Sequence, residues 1–118
     1  MLRKKASSIG FALTGIKIAL KEEHNFQSHI FIAAGAVVMG AIFEISESEW
    51  LAVIGMIGLV LTAELLNTTL EELCDMLRET HDPHIAKIKD LAAGAVFLAS
   101  LAALAVGIAI FLPKLLAL

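Results

Sequence analysis

Stretches without Asp, Glu, Lys or Arg divide this chain. Positions 24–43, 50–63 and 91–113 contain none of the four. An α-helix needs about 20 predominantly apolar residues to cross the hydrocarbon core of a membrane. The first and last stretches meet that length directly. The middle one meets it only if its helix continues through Glu64 to about Thr69, which places a carboxylate inside a membrane helix. The pattern predicts spans over about 24–43, 50–70 and 91–112.

Residues 1–22 follow a different period. Ile9, Leu13, Ile16 and Leu20 share one helical face, and Gly10, Thr14, Lys17 and Lys21 share its neighbour. That is the pattern of an amphipathic helix lying on the membrane surface, over about 6–22. Phe11 and Ile18 fall on the opposite side and are expected to pack on the rest of the protein. Arg3-Lys4-Lys5 ahead of an apolar stretch has the look of a secretion signal. Ser7, Ser8, Thr14 and Lys17 interrupt that stretch, however, and no small-x-small cleavage site follows.

Composition supports a membrane protein of one domain, covering residues 1–118. Of the 118 residues 58% are hydrophobic and 18% charged, and the mean hydropathy is +0.85. Soluble domains carry about 25% charged residues and about 45–50% apolar ones, so this chain has too few polar residues to clothe a wet surface. A net charge of −3 provides no basic field for nucleic acid. The single Cys74 excludes an internal disulfide and a cysteine-built metal site. Tyr is absent and Trp occurs once, so a full aromatic belt is missing.

Basic residues orient the spans. Arg3, Lys4, Lys5, Lys17 and Lys21 precede the first, Arg78, Lys87 and Lys89 lie between the second and third, and only Lys114 follows the third. The N-terminus is therefore expected in the cytoplasm and the C-terminus outside. Ala95, Ala99, Ala103 and Gly107 repeat every four residues, as do Ala36 and Gly40. Such rows of small residues let helices approach closely where no hydrophobic force acts between them. Three short spans enclose little interior, which predicts an oligomer.

The chemistry is concentrated in Glu64-Leu65-Leu66-Asn67-Thr68-Thr69-Leu70-Glu71-Glu72-Leu73-Cys74-Asp75. At about 100° per residue, Glu64, Glu71 and Asp75 fall within roughly 40° of one another, and Asn67 stands about 60° aside. With Trp50 as outer anchor, Glu64 lies roughly 21 Å and Glu71 roughly 31 Å inward. Glu23, Lys89 and Asp90 are expected at the depth of Glu71, and Asp82 and Pro83 at the N-cap and N1 of the last helix. A carboxylate in a membrane helix costs about 2.5–3.5 kcal/mol on insertion scales, so Glu64 is a functional candidate by default. Glu23 and Glu71 suit Mg²⁺, which takes one or two carboxylates together with substrate phosphates. His24, His29, His81 and His84 lack ligand spacing on one face and are not read as metal ligands. Spacing alone leaves ion transport and phosphoryl transfer both open.

Glu64-x-x-Asn67-Thr68-x-x-Glu71-x-x-x-Asp75, followed by Lys89-Asp90-x-Ala92-Ala93-Gly94-Ala95-Val96, resembles the signature of the prokaryotic diacylglycerol kinase and undecaprenol kinase family. Gly15-Ile16-Lys17 through Glu23-His24-Asn25-Phe26-Gln27-Ser28-His29 resembles the family's surface helix and its junction with the first span. The resemblance covers nearly the whole chain. It implies an all-α membrane protein with an N-terminal amphipathic helix and three transmembrane helices per subunit, assembled as a homotrimer in a bacterial cell (inner) membrane.

By the same resemblance the chain is a lipid kinase that moves the γ-phosphate of ATP to a lipid hydroxyl at the cytoplasmic face, with Mg²⁺, in sites shared between subunits. Glu64 matches the catalytic base and Asn67 a residue of the reaction centre, while Glu23 and Glu71 match the metal-binding carboxylates. Lys89 and Asp90 match positions around the nucleotide, Lys89 being oriented by Asp90. Lys4 and the loop Thr80-His81-Asp82 fall where the family contacts ATP. Phe11 stands where some members have Tyr, Gln27 where Arg is usual, and Asp82 where His is common, which bears on ATP affinity. The Glu23–His29 segment favours undecaprenol over diacylglycerol as acceptor. The rival classes are a small oligomeric ion or proton carrier using Glu64, and a structural subunit without activity of its own.

Overall fold

The computed structural model describes residues 2–77 and 82–118. They form four helices, α1 (Leu2–Glu22), α2 (His24–Ile42), α3 (Glu47–Leu77) and α4 (Pro83–Leu116), with no strand among them. Three of these, α2, α3 and α4, are long and apolar enough to cross a membrane. At the end where Glu71 and Lys89 lie, α3 overruns its charge-free stretch by nearly four turns and α4 by about two, which carries the polar cluster on continuous helix. The N-cap of α4 is Asp82, whose Oδ1 accepts from the His84 N–H at 2.8 Å, and Pro83 takes the first helical position.

Only one residue separates α1 from α2. Glu23 adopts an extended conformation (φ −107°, ψ 106°) and makes no side-chain cap bond. The end of α1 leaves carbonyls without helical partners. Gln27 supplies a donor, its Nε2 reaching Leu20 O at 2.9 Å and Lys21 O at 3.4 Å. Gln27 thus closes the helix junction. From Ser7 onward α1 is exposed except at Ala19, and Phe11 is 76% exposed. The expected packing of Phe11 and Ile18 on the chain is therefore not observed.

The α2–α3 connection is built from local hydrogen bonds. Ile45 N–H donates to Gly40 O and Glu44 N–H to Ala41 O, at 3.2 and 3.3 Å. This is a Schellman closure with Glu44, not glycine, in the left-handed position (φ 48°). Ser46 then starts α3 through a capping box, its Oγ accepting from Glu49 N–H and its N–H donating to Glu49 Oε1. Glu49 Oε2 also binds Lys114 Nζ at 2.7 Å. One carboxylate therefore caps α3 and ties it to the end of α4.

The most extensive packing is between α3 and α4. Lys89 meets Asp75 at one end and Lys114 meets Glu49 at the other, so the helices are antiparallel. Buried positions recur every seven residues on both, as Val53, Val60, Asn67 and Cys74 on α3 and as Ile85, Ala92 and Ala99 on α4. A seven-residue repeat keeps one face turned toward the partner along the whole length. Of the small-residue row expected on α4, only Ala99 is buried within the chain, and Ala95 is exposed. The seam runs instead through Ala92 and Ala99.

A cluster of Ile45, Val53, Ile110 and Phe111 closes the Trp50 end, with Met39, Phe43 and Trp50 packed against it. A Cβ on Gly40 would stand 2.7 Å from Trp50 Cη2 and 3.1 Å from Ile45 Cδ1. Gly40→Ala should lower stability by about 1–3 kcal/mol through overpacking, measured as thermal unfolding in detergent. Gly94→Ala, which meets nothing within 4 Å, is the control. Glu44→Gly should raise stability by about 1 kcal/mol by removing left-handed strain.

Candidate active site

Glu64 and Asn67 are buried near the polar end of α3, at 2% and 6% exposure. Asn67 Nδ2 donates to Glu71 Oε1 at 3.2 Å, one turn further along the same face. The Asn67 Oδ1 atom is buried and has no partner among the described residues. Buried polar atoms are paired in the great majority of native structures, so this oxygen marks an acceptor awaiting a donor from outside the chain. From α2, His29 Nε2 approaches Glu64 Oε2 to 3.6 Å.

The remaining expected site residues are more dispersed. Glu23 is half-buried at the α1–α2 joint. Lys89 is half-buried on the face of α4 that packs on α3, and its Nζ lies 3.4 Å from Asp75 Oδ1. Its ionic partner in this chain is thus Asp75 rather than Asp90. Asp90 sits about 100° further round the helix, exposed, where it lines a shallow hollow with Lys87 and Gly94. No group of three or more His, Cys, Asp or Glu positioned to hold a metal occurs among the described residues. Phe11 projects from α1 without burial, and Asp82 is engaged as a helix cap. The Lys4 side chain, Thr80 and His81 lie outside the described residues.

Sequence reasoning passed over His29 as a neighbour of Glu64. Depth would have found it. His29 is about 9 Å along its helix from Glu23, and Glu64 is about 10 Å along its own from Glu71, so the two reach the same level of the bundle.

Comparison with known proteins supplies what geometry leaves general. A family model described as prokaryotic diacylglycerol kinase matches residues 10–111. The chain belongs to the prokaryotic diacylglycerol kinase family. Among its relatives, the undecaprenol kinase of Bacillus subtilis is 38% identical over 101 residues, covering 86% of this chain and 82% of that protein. The diacylglycerol kinase of Synechocystis sp. is 37% identical over 113 residues, covering 94% of this chain and 64% of that protein. The matched span runs from α1 through most of α4 and includes Glu23, Glu64, Asn67, Glu71, Lys89 and Asp90. This is a family of lipid kinases, and its three apolar helices fit a membrane protein.

The Lys89–Asp75 pair is exposed enough for water and salt to compete with it. Asp75→Asn should therefore change the stability of the folded protein by less than about 1 kcal/mol, measured by the same thermal unfolding.

Proposed function

We propose that this protein transfers the γ-phosphate of ATP to the hydroxyl of a membrane lipid, with undecaprenol as the preferred acceptor and Glu64 as the base. The observation that carries the reading is the burial of a carboxylate, with an amide one turn away, on a helix otherwise apolar enough to span a membrane. Both relatives named above are lipid kinases by name. The preference for undecaprenol rests on the Glu23–His29 segment.

In this mechanism Glu64 takes the proton of the lipid hydroxyl as that oxygen attacks the γ-phosphorus. Asn67 holds Glu71 through its Nδ2, and its unpaired Oδ1 accepts from the bound substrates. Lys89 exchanges Asp75 for phosphate oxygens, with Asp90 beside it. Lys4, Phe11 and the Thr80-His81-Asp82 loop lie on the nucleotide side. Most of the rate enhancement comes from holding two dissimilar substrates together at the interface.

Glu23 and Glu71 fit a divalent ion. They are hard oxygen donors, the Glu23 side chain makes no cap bond, and Glu71 is oriented by Asn67. These two would hold Mg²⁺, which supplies charge neutralisation to the phosphates when bound. The working site is shared between copies in a homotrimer, as the resemblance to the family implies. The polar end of the bundle faces the cytoplasm, following the basic residues.

The test is Mg-dependent ³²P transfer from ATP to undecaprenol and to diacylglycerol in parallel, using purified protein in lipid. Faster labelling of undecaprenol is expected, and labelling of neither lipid would overturn the reading. Glu64→Gln should lower turnover by about 10²–10⁴-fold while leaving helix content and oligomer size unchanged. A fully active Gln variant would remove Glu64 from the mechanism.

A further inference from the structure

Resting on the lipid kinase reading, we infer that His29 is the positioning residue of Glu64, holding its carboxylate and passing on the proton that the carboxylate collects. A base that is 2% exposed has a problem at the end of every turnover. It carries a proton, and it has almost no contact with water through which to lose it. The carboxylate must be emptied through a neighbour.

The structure offers one neighbour suited to this. His29 Nε2 lies 3.6 Å from Glu64 Oε2, the only ion-pair contact between the buried carboxylate and another helix among the described residues. That distance is longer than a hydrogen bond, but contacts of this kind are often long in unliganded sites and tighten when substrate is bound. The His29 side chain is 21% exposed, so it bridges a closed position and an open one. Imidazole has two distinct nitrogens and can accept at one while donating at the other. The other ionisable groups whose field reaches Glu64 are Glu71, on its own helix, and Glu23, at the α1–α2 joint. Among the described residues neither is in hydrogen-bond contact with Glu64, and Glu71 is engaged by Asn67. On α4, Lys89 is paired with Asp75.

His29 also lines a groove of about 630 Å³ between α2, α3 and α4. Among the described residues it is the only ionisable side chain lining that groove, whose other walls include Ala33, Met39, Val60, Leu61 and Ser100. The imidazole therefore sits between an apolar channel and the base.

The proton balance is simple. The lipid O–H bond breaks and its proton goes to Glu64 Oε2. The lipid oxygen bonds to the γ-phosphorus as the bond from that phosphorus to the oxygen of ADP breaks. The proton then passes from Glu64 Oε2 to His29 Nε2, and His29, starting as the Nδ1–H tautomer, releases its Nδ1 proton to water. Glu64 ends as it began, and His29 returns from the Nε2–H to the Nδ1–H tautomer by proton exchange with water before the next turnover.

The experiment uses the full-length protein in lipid, with the better of the two lipids as acceptor. His29→Ala should lower kcat by about tenfold or more, with KM for ATP unchanged. Added imidazole should restore turnover, more effectively as pH rises and the free base predominates. His29→Gln, which keeps a polar side chain but carries no proton, should stay as impaired as the Ala variant. Thermal unfolding and oligomer size report whether each variant is folded. A folded Ala variant with wild-type kcat overturns the proposal. So does a loss that Gln repairs, which means polar packing, or one that imidazole leaves untouched in a folded protein. Wild-type protein that labels neither lipid overturns the kinase reading and this inference with it, whereas an active wild type with an unimpaired Ala variant overturns this inference alone.

Discussion

The burial of Glu64 is the constraint on which the rest of the polar end depends. Placing a carboxylate in a helix that faces hydrocarbon is unfavourable by about 2.5–3.5 kcal/mol even on permissive scales. The surrounding chain has to supply a polar partner close by. Asn67 and Glu71 continue the same face of α3, and His29 approaches from α2. A straight run of apolar residues would form an easier membrane helix but would hold no buried carboxylate.

Holding that carboxylate requires α3 to keep one face inward for its whole length. The seven-residue recurrence of Val53, Val60, Asn67 and Cys74 does this, matched by Ile85, Ala92 and Ala99 on α4. The seam is apolar at the Trp50 end, where Val53 joins Ile110 and Phe111, and polar at the other, where Asn67 occupies a position of the same repeat. One packing pattern thus serves stability along half of the helix and chemistry along the other half. The far end is closed by the Glu49–Lys114 pair, whose carboxylate also caps α3. The register of the seam is held from both termini.

Much of this was readable beforehand because lipid imposes simple rules. Charge-free stretches of sufficient length locate α2, α3 and α4, since a charged side chain in hydrocarbon is penalised wherever the helix is exposed. The spacing of Glu64, Asn67 and Glu71 places them on adjoining parts of one face because helical geometry is nearly invariant. The start of α4 was equally legible, as Asp82 and Pro83 act through local backbone chemistry. The motif of acids and amide, together with the Lys89-Asp90 segment, carried the family.

Other features depend on which helices meet, and there the sequence is silent. The pairing of Lys89 with Asp75 rather than Asp90 follows from the antiparallel register of α3 and α4, which no local pattern encodes. The small residues of α4 present several possible stripes, and packing chose Ala92 and Ala99 over Ala95. Gln27 reads as a departure from a motif until the α1–α2 joint brings Leu20 and Lys21 carbonyls to its amide. His29 reads as an isolated histidine until α2 and α3 lie side by side. The sequence by itself determined the helices, their apolar lengths and the acidic face of α3, because these are set by residues within a few turns of one another. Only the tertiary structure decided which imidazole meets Glu64 and which cation meets Asp75, because those contacts are made between helices distant along the chain.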